Sequence, residues 1–256
     1  MNNLNLYEQP LNERIRSFLR LQKLFHQFSF HKDHNSSWDH SIAVNSLNEI
    51  LTFTTRSDIK LEALKELERQ HIKLERLAQR PNIDQAQLID LLKKQTETIN
   101  HLQSSSGQIG QALQTIELLA AVKQKNSVPG CICDFDLPAY QYWITQSESI
   151  RRHDLELWFD SFIVLKNAID LILEVLRQSE THTQEVAENG FFQRSLDSNQ
   201  TVQLIQIGIE KEKDYYPEIS AGKQRFSIRF LTNPDPKLRP EQCQQDVAFN
   251  LSMCNI

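Results

Sequence analysis

The sequence has 256 residues and a formal net charge of −5, a length that allows one or two domains with a sizeable core. Hydrophobic residues make up 39% and charged residues 24%, which is the composition of an ordinary globular protein. An acidic chain does not bind nucleic acid or anionic lipid over its whole surface, so an acidic partner requires a local basic patch.

Two features bear on the cellular compartment of the protein, namely a signal peptide and a membrane span. Residues 1–10 do not have the basic and apolar regions of a signal peptide. The longest apolar stretch, over 159–176, is interrupted by charged residues, so no membrane span is predicted. We therefore expect a cytoplasmic protein with reduced thiols. The chain has four cysteines, Cys131, Cys133, Cys243 and Cys254. Their spacing does not fit paired zinc ligands, and we interpret them as buried thiols.

Apolar periodicity predicts a short strand followed by a series of helices. Residues 3–8 alternate leucine with polar residues, and Asn12 is placed to cap a helix that runs to about Phe28. Further helices are predicted over 38–53, 58–78, 84–102, 108–125 and 149–177, with a short helix opened by Pro138. Leucines at spacings of three and four in the helices 58–78 and 84–102 predict an antiparallel pair or a dimer seam.

After about residue 179 the apolar period changes from 3.6 to 2, and strands are predicted over 201–209, 224–231 and 247–254. One-sided alternation in these segments is typical of an antiparallel sheet with one solvated face. We predict an α+β fold. Its parts are an N-terminal strand over 1–10 that packs with the β domain, a helical domain over 11–180, and an antiparallel β domain over 181–256.

Other candidate sites have simpler explanations. His31, His34 and His40 cluster around Asp33 and Asp39. We interpret residues 30–37 as an exposed loop between helices, with solvated histidines rather than a metal site. Gly107 and Gly110 lack the lysine and serine of a phosphate-binding loop, and helix packing explains them better. No hydrolase or metalloprotease signature is present, so we do not expect an enzyme.

A basic segment stands out against the acidic composition. Residues 219–230 contain Lys223, Arg225 and Arg229 and no acidic residue. On a strand, Arg225 and Arg229 would share one face, about 13 Å apart. Two interpretations remain open here. The arginines keep the sheet soluble, or they grip carboxylates, a task for which arginine is better suited than lysine.

Motifs along nearly the whole chain resemble the ZapD family of bacterial division proteins. The opening resembles the family in its aromatic residue, Pro-Leu-Asn-Glu and spaced arginines, over Tyr7–Arg20. Further similar segments follow in the same order, at Leu64–Gln70, Ile109–Gln111, Pro129-Gly130 with Cys133, Phe135–Pro138 with Trp143, Tyr216–Ser220 and Lys223–Phe230.

The resemblance implies a symmetric homodimer that needs no cofactor and binds the C-terminal tail of FtsZ, the tubulin-like division protein. One dimer would cross-link and bundle FtsZ filaments, stabilising the Z-ring at midcell, without inserting into a membrane or binding nucleic acid. The family positions tied to tail binding are basic, and those kept here are Arg16, Arg20, Arg56, Lys223, Arg225 and Arg229. Glu117 and Gln141 depart from the arginine and histidine that relatives can place there, so they are not assigned as contacts.

Two other classes of function could use the same residues or the same helical body. An RNA-binding regulator would use the same arginines, but RNA modules stack bases on exposed aromatic side chains, and Phe226 and Phe230 are predicted to face the core. An enzyme in the helical body would need a deep pocket with convergent polar groups.

For the leading hypothesis, the first strand is expected to join the C-terminal sheet. Arg16 and Arg20 would then face Arg225 and Arg229 across one basic cleft.

Overall fold

The computed structural model describes residues 3–56, 58–78, 84–105, 107–126, 135–197, 201–222, 224–233, 235 and 237–256. The chain divides into two compact units, here called the β unit (Met1–Ser17 with Leu173–Ile256) and the helical unit (Phe18–Ile172). Helices followed by antiparallel sheets confirm the predicted α+β class, and the N-terminal strand joins one of the sheets.

Eight α-helices occur in the described residues, with a 3-10 helix at Gln111–Thr115. They are α1 (Glu13–Lys32), α2 (Ser37–Arg56), α3 (Ile59–Ala78), α4 (Gln85–Ser104), α5 (Glu117–Lys125), α6 (Pro138–Ile144), α7 (Glu148–Asp160) and α8 (Ile163–Gln178). The predicted cap is confirmed, because Ile15 N donates to Asn12 Oδ1 over 2.8 Å. Asp84 caps α4 by accepting from the backbone of Ala86 and Gln87.

The core of the helical unit is built on the apolar stripe of α1. Phe25 and Phe28 are buried against Phe159 of α7, with ring centroids 5.9 and 4.3 Å apart. Gln22 Nε2 donates to Asp170 of α8 over 2.8 Å at the edge of this packing. Helix spacing of three and four residues therefore places the aromatic side chains of α1 where two other helices can cover them.

The predicted helix pair is present as α3 and α4, which run antiparallel because residue 60 lies near 105 and residue 70 near 95. Leu88 and Leu102 are buried along the seam, and the buried Gln95 interrupts them. Gln95 bonds both Gln70 and His71, at 3.5 and 3.2 Å. A polar layer of this kind costs stability but favours one register of the pair.

Two local predictions are wrong. The segment 108–125 is not one helix, because Gly110 has φ 77° in the left-handed region and Ile116 is extended, which separates the 3-10 helix from α5. A side chain at position 110 would also collide with Phe162. The exposed loop over 30–37 is shorter than expected, because α1 continues to Lys32.

The strands of the β unit form two antiparallel sheets. They are β1 (Leu4–Pro10), β2 (Glu180–Ala187), β3 (Phe191–Ser195), β4 (Leu204–Glu210), β5 (Tyr215–Ala221), β6 (Arg225–Thr232), β7 (Glu241–Gln242) and β8 (Val247–Cys254). The first sheet has the order β1-β4-β8-β2, and the second has β3-β6-β5 with β7 beside β6. Their inner faces meet in one core that includes Ile207, Phe226, Phe230 and Leu251.

An ion pair fastens β1 to the end of α8 within the β unit. Arg177 donates from Nε and Nη2 to the two carboxylate oxygens of Glu8, over 2.8 and 2.9 Å, and Gln206 donates to the same carboxylate. Burial by itself would raise the pKa of Glu8, but the hydrogen bonds and the charge of Arg177 outweigh it and lower that pKa. The lowered pKa favours the ionised carboxylate of Glu8, which is the form that pairs with Arg177.

Candidate functional site

The outer face of β6 carries the two arginines at the centre of the prediction. Arg225 and Arg229 are exposed and flank Ser227, while Phe226, Ile228 and Phe230 point into the core between the sheets. This confirms the alternation expected from the sequence, with apolar residues inside and arginines in solvent. The two guanidinium groups share a face without being buried by it.

Cross-strand register shows what stands beside each arginine. Phe191 and Glu218 lie opposite Arg229, on β3 and β5 respectively, and Ser195 lies opposite Arg225. Arg229 is 3.8 Å from the Glu218 carboxylate, with both side chains more than half exposed. An exposed pair of this kind contributes little to stability, so an incoming carboxylate can replace Glu218 beside Arg229. In the described part of the chain, Arg225 forms no ion pair.

An exposed aromatic residue on this face was missed by the sequence analysis. Phe191 is 42% exposed beside Arg229, while its neighbour Phe192 packs inward against Phe249, with ring centroids 5.2 Å apart. Asn189 and Gly190, with φ 48° and 71°, make the tight turn that precedes them. A turn followed by two phenylalanines was the signal for a strand with one aromatic side chain in the core and one outside.

The other candidate arginines lie on helices. Arg16 belongs to the β unit and pairs with Glu13 in the first turn of α1, and Arg20 is exposed in the helical unit. The strand that precedes α1 joins the first sheet, whereas Arg225 and Arg229 stand on the second sheet. The expectation of one shared sheet is therefore wrong. A basic cleft that unites the four arginines stays a prediction.

Arg56 is exposed at the end of α2, where it lines a groove of about 360 Å³ with the start of α3 and residues 107–109. Glu117 is exposed in the first turn of α5, and Gln141 is partly buried in α6. Several predicted positions lie outside the described residues, namely Lys223, Cys131, Cys133 and Pro129-Gly130.

Of the three histidines, His34 is exposed between α1 and α2 as expected, but His31 and His40 are not solvated loop residues. His31 bonds Asp39 over 2.8 Å, and His40 is fully buried and accepts a hydrogen bond from Arg151 Nε over 2.9 Å. Helix α2 turns His40 inward, which corrects the interpretation made from the sequence. Among the residues described, no cluster of three metal-ligating side chains occurs. Cys243 and Cys254 are buried free thiols, and burial raises the pKa of Cys254 to about 12.

None of the helices in the described ranges is long and apolar enough to cross a membrane. The family model of ZapD, described as a cell division protein, matches residues 19–229. Proteins named cell division protein ZapD are similar over nearly the whole chain. That of Methylococcus capsulatus is 40% identical over 254 residues, covering 99% of each chain. That of Nitrosomonas eutropha is 39% identical over 251 residues, covering 98% of this chain and 99% of its own.

A third such protein, from Dechloromonas aromatica, is 34% identical over 250 residues, covering 98% of this chain and 99% of its own. Matches of this length and identity place the chain among proteins that act in cell division. It belongs to the ZapD family.

Proposed function

We propose that the protein binds the C-terminal tail of FtsZ through the arginines of β6 and, as a homodimer, cross-links and bundles FtsZ filaments into the Z-ring at midcell. The observation that carries this proposal is the placement of Arg225 and Arg229 on one exposed strand face, in an otherwise acidic chain. Arg16, Arg20, Arg56 and Lys223 are proposed as further contacts, on the family resemblance.

The chemistry of the face suits a short acidic peptide. Guanidinium forks bind carboxylates through paired, charge-assisted hydrogen bonds, each worth roughly 1.5–3 kcal/mol when shielded and less when exposed. Phe191 adds an apolar surface beside Arg229. For two or three such contacts together with the apolar anchor we expect micromolar affinity, about −7 to −8 kcal/mol.

The decisive experiment measures binding of a synthetic FtsZ tail peptide to the Arg225→Glu, Arg229→Glu double variant. We expect affinity to fall by at least about 100-fold, because two attractive contacts become repulsive, while the thermal midpoint stays unchanged. The matched control is Lys237→Glu with Arg239→Glu, which makes the same change of charge at exposed residues after β6. A folded double variant that binds the peptide as wild type does at low salt would refute the proposal.

Dimerisation through the helical domain over 11–180 is the second part of the proposal, with the β domain over 181–256 free for the tail. Exposed aliphatic side chains on the helix pair support it, namely Leu61, Ile72 and Ile89. Sedimentation is expected to show a dimer at micromolar concentration. Because a dimer meets many tails on one filament, bundling should be far steeper than tail binding. A dimer-breaking variant that still bundles filaments would contradict cross-linking.

RNA binding is the second candidate, and one observation favours it. Phe191 provides an exposed aromatic ring on the arginine face, where a base could stack. The net charge of −5 and the nearby Glu218 oppose a polyanion. Competition separates the two candidates, because single-stranded RNA should not displace a fluorescent tail peptide at physiological salt. Displacement at micromolar RNA would favour the RNA-binding alternative.

A further inference from the structure

Strand β3 is an edge of the second sheet, which has the order β3-β6-β5. Its pairing with β6 shows which backbone groups point outward. Phe230 N donates to Gly190 O over 2.8 Å, and Leu196 N donates to Gln224 O over 2.7 Å. In an antiparallel pair the residues alternate between bonding the partner strand and pointing away from it.

This phase leaves Gln193 and Ser195 with N–H and C=O groups directed away from β6. Gly190 and Leu196 bond β6, and Gln193 and Ser195 are each an odd number of residues away from both. Their pairs, Gln193 with Ser227 and Ser195 with Arg225, are therefore not hydrogen-bonded to each other. Phe191, at the start of β3, already donates its outward N–H to Glu188 O over 2.9 Å, in a single bridge. Beyond that bridge, no strand in the described ranges pairs with this side of β3. The edge therefore offers two donors and two acceptors at the spacing of an extended chain.

The same residues present their side chains on the arginine face. Phe191, Gln193 and Ser195 are exposed, and each lies opposite an outward-facing residue of β6. Pairs that are not hydrogen-bonded bring side chains closest, with Cβ atoms about 4.5–5.5 Å apart. A chain added beside Gln193 and Ser195 would thus place every second side chain on the face that carries Phe191 and the arginine side chains.

We propose that the acidic tail peptide binds by strand addition, as an extended fourth strand beside β3. Backbone hydrogen bonds to Gln193 and Ser195 would supply affinity that does not depend on side chains. An apolar side chain of the peptide lies on Phe191, and carboxylates on the same side of the peptide reach Arg229 and Arg225. The positive charges of Arg225 and Arg229 favour an acidic peptide at this edge. The inference rests on the proposed function, because it specifies how the same partner is held.

The test compares two substitutions at one position, Gln193→Pro and Gln193→Ala. Both remove the glutamine side chain, but only proline removes the outward N–H, and an edge strand tolerates proline where that N–H faces solvent. We expect the FtsZ tail peptide to bind the proline variant about tenfold more weakly than the alanine variant. Circular dichroism and thermal melting verify that both variants are folded.

A second measurement leaves the protein unchanged and alters the peptide. Tail peptides are N-methylated at alternate residues, one peptide at the odd and one at the even positions. Strand addition predicts that one set loses binding by about tenfold or more while the other stays within about twofold of the parent peptide. Equal binding of both methylated peptides, or of both Gln193 variants, would overturn strand addition.

The controls separate this inference from the proposed function. If the Arg225→Glu, Arg229→Glu variant loses the peptide but backbone changes have no effect, the tail is held by side chains alone and the strand-addition model is wrong. If wild-type protein does not bind the tail peptide at all, the proposed function fails and strand addition fails with it.

Discussion

Arg151 of the helical unit and Arg225 of the β unit use the same guanidinium group in opposite surroundings. Arg151 is 7% exposed and donates to His40 and to the carbonyl oxygens of Asn35, Ile144 and Gln146. Arg225 is exposed on β6 and forms no ion pair with any described residue. The donors of Arg151 are committed to the fold, whereas those of Arg225 remain available to a partner.

The difference shows why a count of arginines does not locate a binding site. A buried guanidinium must have its donors satisfied, because an unpaired buried charge is strongly destabilising. The acceptors of Arg151 come from the turn before α2 and from the end of α6, so one side chain joins three parts of the helical unit. Free donors are instead found where neighbouring strands leave an exposed face.

The largest expected effect on stability comes from Arg151→Met. Methionine fills similar space but leaves three carbonyl oxygens and His40 Nδ1 without their donor, so we expect a loss of about 3–5 kcal/mol. Urea denaturation measures the loss. The matched control is Arg152→Met. Arg152 donates to Glu148, Asp33 O and Asn35 Oδ1, but its side chain is 30% exposed and water can replace these partners, so the loss should be less than about 1 kcal/mol. Equal losses in the two variants would contradict the comparison.

An intermediate effect is expected for Arg177→Met, since the pair with Glu8 is only partly exposed, at 31% and 23%. The folded pKa of Glu8 is lowered, so the pair stabilises the protein above the unfolded pKa. That stabilisation is lost as pH falls through the folded value.

The variant should therefore be about 1–3 kcal/mol less stable than wild type at pH 7, with a difference that shrinks as the carboxylate is protonated in acid. Denaturation curves from pH 7 to 3 measure it, with Gln178→Met as the control. A difference that does not change with pH would show that Arg177 stabilises by packing alone.

The sequence predicts those parts of this fold that rest on local signals. Asn12 caps α1 as expected, because its side chain and the three residues after it suffice to form the cap. The outward arginines of β6 follow from strict alternation over six residues. In both cases the information lies within one turn or one strand, and tertiary packing does not override it.

The rest depends on partners distant in the chain. Strand β5 is not among the predicted strands, and it contains Pro217, a residue that is unfavourable in most strand positions. Its register opposite Phe230 turns the missing N–H away from β6 and makes proline acceptable. The two phenylalanines of β3 indicate one inward and one outward side chain, but only the pairing of β3 with β6 shows that Phe191 is the one beside Arg229. The burial of His40 depends on Arg151, 111 residues away, which no local pattern indicates.

The smallest expected effect on stability, and the last test of the comparison, is that of Arg225→Met. The Arg225 side chain is exposed and has no partner in the described residues, so it contributes little to stability. The free energy of unfolding should stay within about 0.5 kcal/mol of wild type. Its role should appear only in binding. The dependence of tail-peptide affinity on salt should weaken, because one of the charges that attract the peptide is gone. Fluorescence anisotropy at several salt concentrations measures this slope, with Arg239→Met as the control. An unchanged slope, or a loss of stability close to that of Arg151→Met, would show that Arg225 belongs to the fold rather than to the binding face.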